Sequence, residues 1–186
     1  MSKYKGKIAV LKGGYSDERE ISLKTAENVE KALEELGFNY VSIDCRDDFI
    51  AHLNKSNFDL CFNALHGEFG EDGQIQALLE KIGIRYTHSG VSASILAMNK
   101  VFSKEIFLKN TISTPDYKIK DTNSINASDI PIPSVVKPIN NGSSVGVYII
   151  LGESDKTNVI NELKNWHYGK YIMIEEYIEG RELTCG

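Results

Sequence analysis

The sequence predicts two α/β units in succession: a doubly wound parallel sheet, then a smaller α+β unit with mostly antiparallel strands. Over roughly the first ninety residues, short apolar runs alternate with amphipathic segments, as strands and helices do in a parallel sheet. Two of these runs end in glycine-rich turns. After Gly90 the order becomes strand, loop, strand, helix, strand, which is typical of an α+β unit. We place the boundary between Gly90 and Lys100, which divides the chain into residues 1–95 and 96–186.

The first unit is predicted to contain four strands and three helices. Small or apolar side chains recur three and four positions apart from Ser22 to Leu36, so one stripe of the first helix faces the sheet. Asp17 with Glu20 is expected to cap its start, and Gly37 its end. The predicted strands are Lys7–Leu11, Tyr40–Asp44, Phe58–Leu65 and Ile84–Thr87, and the helices begin near Glu18, cover Phe49–Asn54 and end near Ile82. Ligands of such a sheet bind beyond the carboxyl ends of its strands.

The second unit begins with a helical pattern over Val91–Asn110, which Thr114-Pro115 ends. Residues 120–133 are polar and aperiodic, which predicts a loop with at most one short helix. Further strands are predicted at Ser134–Lys137, Val147–Ile150 and Tyr171–Tyr177, with a loop at Asn140–Gly146 and a helix at Val159–Trp166. Residues 182–186 resemble the beginning of another strand, so we expect this unit to be cut short.

Composition excludes several classes of protein. The chain has 21 basic and 26 acidic residues and a net charge of -5, which argues against a nucleic-acid or anionic-membrane binder but leaves room for a small phosphate ligand. The apolar run Ile8–Leu11 is too short for a signal peptide. Cys45, Cys61 and Cys185 are odd in number and unclustered, so they are interpreted as buried thiols in a reducing cytoplasm.

Two glycine-containing clusters follow strands of the first unit. Residues 13–20 combine a Gly-Gly turn with acidic residues at a helix start, where Glu18 lies; the spacing is not a dinucleotide fingerprint. Residues 63–73 place His66 beside three glycines at a strand end. A plain strand–helix turn and a structural histidine remain alternatives at this point.

Two further clusters lie in the second unit. In residues 137–146, Lys137 ends a strand and a Gly/Ser loop follows, which suits a polyphosphate, although a simple hairpin turn has the same pattern. Residues 175–182 form a strand end and an acidic turn that could meet a base and a ribose, or be only a turn. Lys100 could reach a phosphate from the domain junction, or be merely solvated.

These clusters, in this order, resemble the D-alanine–D-alanine ligase family of the ATP-grasp superfamily. The resemblance covers nearly the whole chain. It implies an N-terminal pre-ATP-grasp domain followed by an ATP-grasp central subdomain, with the C-terminal subdomain missing. Asn99 stands where the family usually has Asp, and Ala77 where Gly is frequent. The motifs are GGYSDEREIS at 13–22, ALHGEFGEDGQIQ at 64–76, NGSSVGV at 141–147 and EEYIEGRELT at 175–184.

The resemblance implies ATP-dependent joining of two D-alanines through an acyl phosphate, for peptidoglycan synthesis in the cytoplasm. It also implies Mg²⁺ or Mn²⁺ bound by the missing subdomain, and a homodimer. No nucleic acid or membrane partner is expected. We expect the 186-residue chain alone to be inactive. Two alternatives stay open: an inactive nucleotide-binding or interaction module, and a ligase with another second substrate, such as D-lactate or D-serine.

The resemblance also implies roles for individual residues. Catalytic and substrate-binding roles fall to Glu18, which would hold the ammonium of the first D-alanine, to His66 near that substrate, and to Ser143, which would tie the loop to Glu18. The remaining residues would bind ATP: Lys100 and Lys137 at the α- and β-phosphates, Ser144 at the γ-phosphate, Glu175 at the adenine amino group, Ile178 at the ring through its backbone, and Glu182 at the ribose.

Overall fold

The structure is a computed structural model that describes residues 5–46, 48–55 and 57–183. The polypeptide divides between Met98 and Asn99 into two units, each with a four-stranded sheet. Within the described ranges, every helix is too short or too polar to cross a lipid bilayer.

The first unit has a parallel sheet with strand order β2-β1-β3-β4. Side chains of β1 alternate between two apolar clusters: Ala9 and Leu11 pack into one, and Ile8 and Val10 into the other, with Ala26 of α1. The predicted doubly wound α/β class is therefore confirmed. The elements are β1 (Lys7–Lys12), α1 (Arg19–Leu36), β2 (Asn39–Asp44), α2 (Phe49–Lys55), β3 (Leu60–Asn63), α3 (Gln74–Ile82), β4 (Arg85–Tyr86) and α4 (Val91–Met98).

The ends of two elements differ from the sequence prediction. Glu18, and not the predicted pair Asp17 and Glu20, occupies the N-cap of α1, and it makes no side-chain cap hydrogen bond. That prediction was wrong because the hydroxyl of Ser16 already accepts a hydrogen bond from Glu18 N and shapes the turn. Strand β3 is shorter than predicted because the side-chain oxygen of Asn63 accepts a hydrogen bond from Leu65 N and turns the chain.

The second unit is built on an antiparallel sheet with strand order β5-β8-β6-β7. The predicted α+β class is confirmed here too. The elements are α5 (Lys100–Lys109), β5 (Tyr117–Asp121), β6 (Ser134–Pro138), β7 (Tyr148–Ile150), α6 (Glu153–Glu162) and β8 (Tyr171–Glu176), with short 3₁₀ turns at Ala127–Asp129 and Leu163–Asn165.

Two elements of this unit were missed or misplaced. Strand β5 extends into the segment predicted as loop, because this edge strand leaves Lys118 and Ile119 exposed and shows little alternation. Helix α6 begins six residues before the predicted start at Val159. Its first turns bury no apolar side chain, and the start is set instead by Asp155, whose carboxylate accepts hydrogen bonds from Leu151 N and Gly152 N.

The two faces of the antiparallel sheet have different roles. On one face, Val136, Ile150 and Ile174 belong to an apolar cluster that also includes residues of α6. The opposite face carries Lys137 and Glu175. The register pairs Val135 with Glu175 and Lys137 with Met173, so Lys137 and Glu175 are diagonal neighbours on the same face.

The predicted helix Val91–Asn110 is two helices in the structure. Asn99 separates them in an extended conformation (φ −88°, ψ 109°), and its side-chain oxygen accepts hydrogen bonds from Val101 N at 3.0 Å and Phe102 N at 3.2 Å. It is the N-cap of α5. Since Asp and Asn cap helices about equally well, Asn at a position where Asp is usual keeps the helix start.

Replacing Asn99 with alanine removes the acceptor for two backbone N–H groups. We expect Asn99→Ala to lower the free energy of unfolding by about 1 kcal/mol, and Asn99→Asp to leave it nearly unchanged. Chemical denaturation followed by far-ultraviolet circular dichroism measures both. Equal stability of Asn99→Ala and the unaltered chain would show that the cap is not needed.

Candidate functional site

Glu18 and His66 lie in turns that follow β1 and β3, which are neighbouring strands of the parallel sheet. Their carboxyl ends therefore meet at one edge. Ser16 joins the two turns directly, because its hydroxyl donates a 2.7 Å hydrogen bond to the carbonyl oxygen of His66. Ser22 joins them again: its hydroxyl accepts from Gly13 N at 2.8 Å and donates to the carbonyl oxygen of Ala64 at 2.7 Å.

The His66 ring is fixed by two neighbours. Its Nε2 lies 2.9 Å from the hydroxyl oxygen of Thr25, and its Nδ1 lies 3.4 Å from a carboxylate oxygen of Glu71. Glu71 also accepts a 2.9 Å hydrogen bond from Gly67 N through its other oxygen. With both ring nitrogens engaged, the imidazole is held in one orientation, which suits a positioning role.

The Glu18 carboxylate is covered by the backbone of the loop after β3. Glu18 is only 4% exposed. Gly67 has a φ of +69°, and a Cβ at this position would lie 2.8 Å from Glu18 Oε1. Only glycine allows this approach without displacing the carboxylate. The structure thus brings Glu18 and the His66 loop together, and a buried carboxylate at this edge can hold a small cationic group.

A bidentate ion pair supports the Gly13-Gly14 turn from β2. The guanidinium of Arg19 donates to both carboxylate oxygens of Asp44, at 2.9 and 2.5 Å. Those hydrogen bonds lower the pKa of Asp44 to about 2. Asp44 in turn accepts from Gly14 N at 3.3 Å. The sequence analysis did not assign a role to Arg19 or Asp44, although both sit where the ends of adjacent parallel strands meet.

In the second unit, Glu175 of β8 is paired with two lysines from other elements. Its Oε1 accepts from the ammonium group of Lys104 in α5, and its Oε2 from that of Lys137 in β6. The side chains of Lys104 and Glu175 are 6% and 7% exposed, while that of Lys137 is 19% exposed. A carboxylate this deeply buried requires such pairing.

Lys100 interacts electrostatically with both Lys137 and Glu175. Burial of its side chain, together with the charge of Lys137, lowers the pKa of Lys100 to about 8, and the charge of Glu175 partly opposes this. Its ammonium group donates to the carbonyl oxygen of Asn141, and its backbone N to that of Ile139 at 3.0 Å. Lys100, Lys137 and Glu175 thus form one electrostatic cluster, and Lys100 also fastens the start of the 140–147 loop.

The loop itself holds two serines in an uncommon backbone conformation. Ser143 and Ser144 have φ angles of +48° and +59°, which non-glycine residues seldom adopt. Both are exposed. Gly146 closes the loop with a φ of +71°, and a Cβ there would lie 3.0 Å from the ring of Tyr168. Backbone strain of this kind recurs at ligand-binding loops.

The last two predicted nucleotide-binding residues follow β8. Ile178 is 60% exposed and Glu182 is also exposed. Both belong to a segment without regular secondary structure. Their expected roles at the base and ribose stay predictions.

Comparison with known proteins identifies the family. A family model described as the D-ala D-ala ligase N-terminus matches residues 46–89, and one described as its C-terminus matches residues 105–186. A D-alanine–D-alanine ligase of Wolbachia pipientis wMel is 47% identical over 178 residues, which are 95% of this chain and 56% of that protein. One from Pelagibacter ubique is 47% identical over 185 residues, 95% of this chain and 59% of the relative. The chain belongs to the D-alanine–D-alanine ligase family.

Solved structures support the same assignment. The crystal structure of a D-alanine–D-alanine ligase from Bacillus anthracis has a TM-score of 0.80 and 31% identity, over 94% of this chain and 58% of that one. A structure of the Bacillus anthracis ligase complexed with ATP has a TM-score of 0.77 and 29% identity, over 94% of this chain and 60% of that one. The chain therefore spans 56–60% of the length of these relatives.

Lys104, like Arg19 and Asp44, has no role in the sequence prediction for this ligase-family chain, although the structure places it against Glu175. A signal was available: Lys100 and Lys104 are four residues apart, so in a helix they lie on the same side. The spacing alone does not reveal the role of Lys104, because its partner Glu175 lies about seventy residues away in the chain.

The described residues offer no metal site and no reactive thiol. Within the described ranges, no group of three or more His, Cys, Asp or Glu side chains could hold a metal ion. Cys45 and Cys61 are buried and free, and burial raises the pKa of each thiol to about 12. This confirms the prediction of buried thiols for these two, while Cys185 lies outside the described residues.

The contact between Gly67 and Glu18 can be tested with a matched pair of substitutions. Gly83 also has a positive φ, +76°, but nothing lies within 4 Å of a Cβ built there. We expect Gly83→Ala to cost about 1 kcal/mol of stability from backbone strain alone. Gly67→Ala should cost more, because the new methyl group also displaces the Glu18 carboxylate. Thermal denaturation of both variants measures the difference, and equal losses would contradict the contact.

Proposed function

We propose that the protein is an ATP-dependent D-alanine–D-alanine ligase that makes the dipeptide used in peptidoglycan. The observation that carries this proposal is a charged cluster in a chain of this family: Lys137 and Glu175 lie on one face of the antiparallel sheet, and Lys100 at the start of α5 interacts with both. A polyphosphate requires cations beside it, and an adenine base requires a hydrogen-bond acceptor for its amino group. The cluster contains both kinds of group.

The proposed reaction has two steps. A carboxylate oxygen of the first D-alanine attacks the γ-phosphorus of ATP, ADP leaves, and an acyl phosphate forms. The amine of the second D-alanine then attacks the acyl carbon, loses a proton, and expels inorganic phosphate to leave the peptide bond. Phosphoryl transfer of this kind depends on positioning and charge neutralisation more than on covalent help from the protein.

The first unit supplies the residues proposed for the amino acid. Glu18 is a buried carboxylate that can pair with the ammonium of the first D-alanine, and burial strengthens such a pair. His66, held by Thr25 and Glu71, is proposed to orient that substrate. Neither residue needs to act as a nucleophile.

The second unit supplies the residues proposed for the nucleotide. Lys100 and Lys137 are assigned to the α- and β-phosphates and Glu175 to the adenine amino group. The exposed hydroxyl of Ser144 is assigned to the γ-phosphate, and Ser143 to closing the loop over the substrates. Ile178 and Glu182 are assigned to the base and the ribose.

The proposal extends to properties of the whole protein. Mg²⁺ or Mn²⁺ is expected to accompany ATP, but the described residues do not fit a metal site, so we assign its ligands to the part of the relatives that this chain does not match. We further propose a homodimer in the cytoplasm, without nucleic-acid or membrane partners. The second substrate is proposed to be D-alanine.

The activity is tested on the protein expressed from the whole gene. With ATP, Mg²⁺ and D-alanine, we expect ADP and phosphate to be released and D-alanyl-D-alanine to appear by mass spectrometry. Parallel reactions that add D-lactate or D-serine identify the second substrate. Glu18→Gln should lower kcat/KM for D-alanine at least tenfold, because it removes the charge that pairs with the ammonium group. The absence of D-alanine-dependent phosphate release would refute the proposal.

The 186-residue chain alone is expected to show little or no turnover in the same assay. The reason is that its described residues lack a metal site and the chain matches only 56% of its relative from Wolbachia pipientis. Phosphate release by this chain at the rate of the whole protein would show that these 186 residues suffice.

Lys100 gives ATP binding a specific pH dependence. With a pKa of about 8, Lys100 is cationic below this pH and loses its charge as the pH rises through it. Bound phosphates favour the cation, so binding should take up protons near and above pH 8, and ATP affinity should fall from pH 7 to 9. Lys100→Arg stays cationic and should bind without this uptake. Isothermal titration calorimetry in buffers of different ionisation enthalpy measures the number of protons taken up on ATP binding. Equal uptake by the unaltered protein and Lys100→Arg would show that Lys100 is not the group that takes up the proton.

A further inference from the structure

Lys104, which also binds Glu175, differs from Lys137 in how many hydrogen bonds its ammonium group makes. Its ammonium group donates to the hydroxyl of Thr114 at 2.6 Å, to the carbonyl oxygen of Pro115 at 2.7 Å, and to Glu175 Oε1. An ammonium group has three N–H donors, so all three are used. With its side chain 6% exposed, Lys104 has no donor left for a ligand.

Lys137 holds the other oxygen of Glu175 under very different conditions. Among the described residues, Glu175 is the one hydrogen-bond partner of its ammonium group, and its side chain is more exposed than that of Lys104. Two of its donors remain available. Lys137 can therefore turn towards a phosphate, whereas Lys104 cannot leave the carboxylate without giving up two further acceptors.

We propose that Lys104 is a positioning residue for the nucleotide base. It holds the Glu175 carboxylate in place and balances its charge when Lys137 turns to the ATP phosphates, which frees Glu175 Oε2 to accept a hydrogen bond from the adenine amino group. The proposal rests on the proposed function, because it takes ATP as the ligand and Glu175 as the residue that meets its base.

This arrangement would make the site selective for a base with an amino group at that position. A carboxylate accepts a hydrogen bond from the amino group of adenine, but it repels the carbonyl oxygen that hypoxanthine carries in its place. The selectivity depends on Oε2 staying where it is after Lys137 has left. A mobile Glu175 could move away from a carbonyl oxygen, so loosening Lys104 should weaken discrimination as well as ATP affinity.

The test compares ATP with ITP, whose base carries the carbonyl group, in the whole protein. We expect Lys104→Met to raise KM for ATP about tenfold, as expected when one charge-assisted hydrogen bond is weakened, and to lower the ATP/ITP ratio of kcat/KM by a similar factor. The kcat at saturating ATP should change far less. Lys104→Arg, which keeps the charge, should recover part of the loss.

Lys109→Met is the matched control, since Lys109 is an exposed lysine of the same helix. It should leave KM and the ATP/ITP ratio unchanged. Thr114→Val is a milder variant that removes one acceptor of Lys104 and keeps both charges; it should shift both quantities in the same direction, by about two- to threefold. Circular dichroism and thermal denaturation establish which variants fold, and if Lys104→Met does not fold, Thr114→Val decides the question.

The proposal is overturned if the folded variants keep the ATP KM and the ATP/ITP ratio of the unaltered protein, or if only kcat falls. Its failure is separable from failure of the proposed ligase activity. If the unaltered protein shows no D-alanine-dependent phosphate release, direct titration with ATP and ITP still measures base selectivity in each variant. Loss of that selectivity in Lys104→Met would then support the role of Lys104 in nucleotide binding alone.

Discussion

The second unit contains a buried carboxylate, that of Glu175, between two lysines that come from a different helix and a different strand. Isolated charge inside a protein is costly, and breaking a buried pair by removing one partner costs about 3–5 kcal/mol. Glu175 avoids this cost through ion pairs with Lys104 of α5 and Lys137 of β6. Because side chains alternate along a strand, a one-residue slip of β6 against β8 would move Lys137 to the apolar face. The pairing of Glu175 with both lysines is therefore possible only with this strand register and this position of α5.

In the first unit, the buried carboxylate of Glu18 is held by the shape of the surrounding backbone. The Glu18 carboxylate is enclosed because Gly67 has no side chain and tolerates a positive φ. The hydroxyl groups of Ser16 and Ser22 then tie the turns after β1 and β3 together. The Glu18 carboxylate is thus positioned by the close backbone of Gly67 and by the hydrogen bonds of two serine hydroxyl groups. The Glu175 carboxylate is positioned instead by two long lysine side chains. The two lysines beside Glu175 differ in exposure, at 6% for the side chain of Lys104 and 19% for that of Lys137.

The sequence predicted those parts of the fold that leave a periodic signal. The apolar run of β1 and the stripe of α1 were sufficient to place both elements within a residue or two. Strand β5 and the first turns of α6 were missed because they bury little, and hydrogen bonds such as those of Asp155 define them instead. The link between Lys104 and Glu175 joins residues far apart in the chain, so it follows from the tertiary packing and from no local pattern.

The charged arrangement is not required to close the sheet. Replacing buried ion pairs with apolar side chains of similar volume is often neutral or stabilising, so stability alone would favour apolar residues here. What the charges add is a carboxylate that is already removed from water, held at one oxygen by Lys104 and paired at the other with the more exposed Lys137. A ligand that offers anions to Lys137 and a hydrogen-bond donor to Glu175 would break the ion pair between these two residues. In its place each residue would gain a partner on the ligand, so neither charge would be left unpaired. ATP, the proposed ligand, has both features in one molecule, so the asymmetry between the two lysines supports the proposed binding role over a purely structural one.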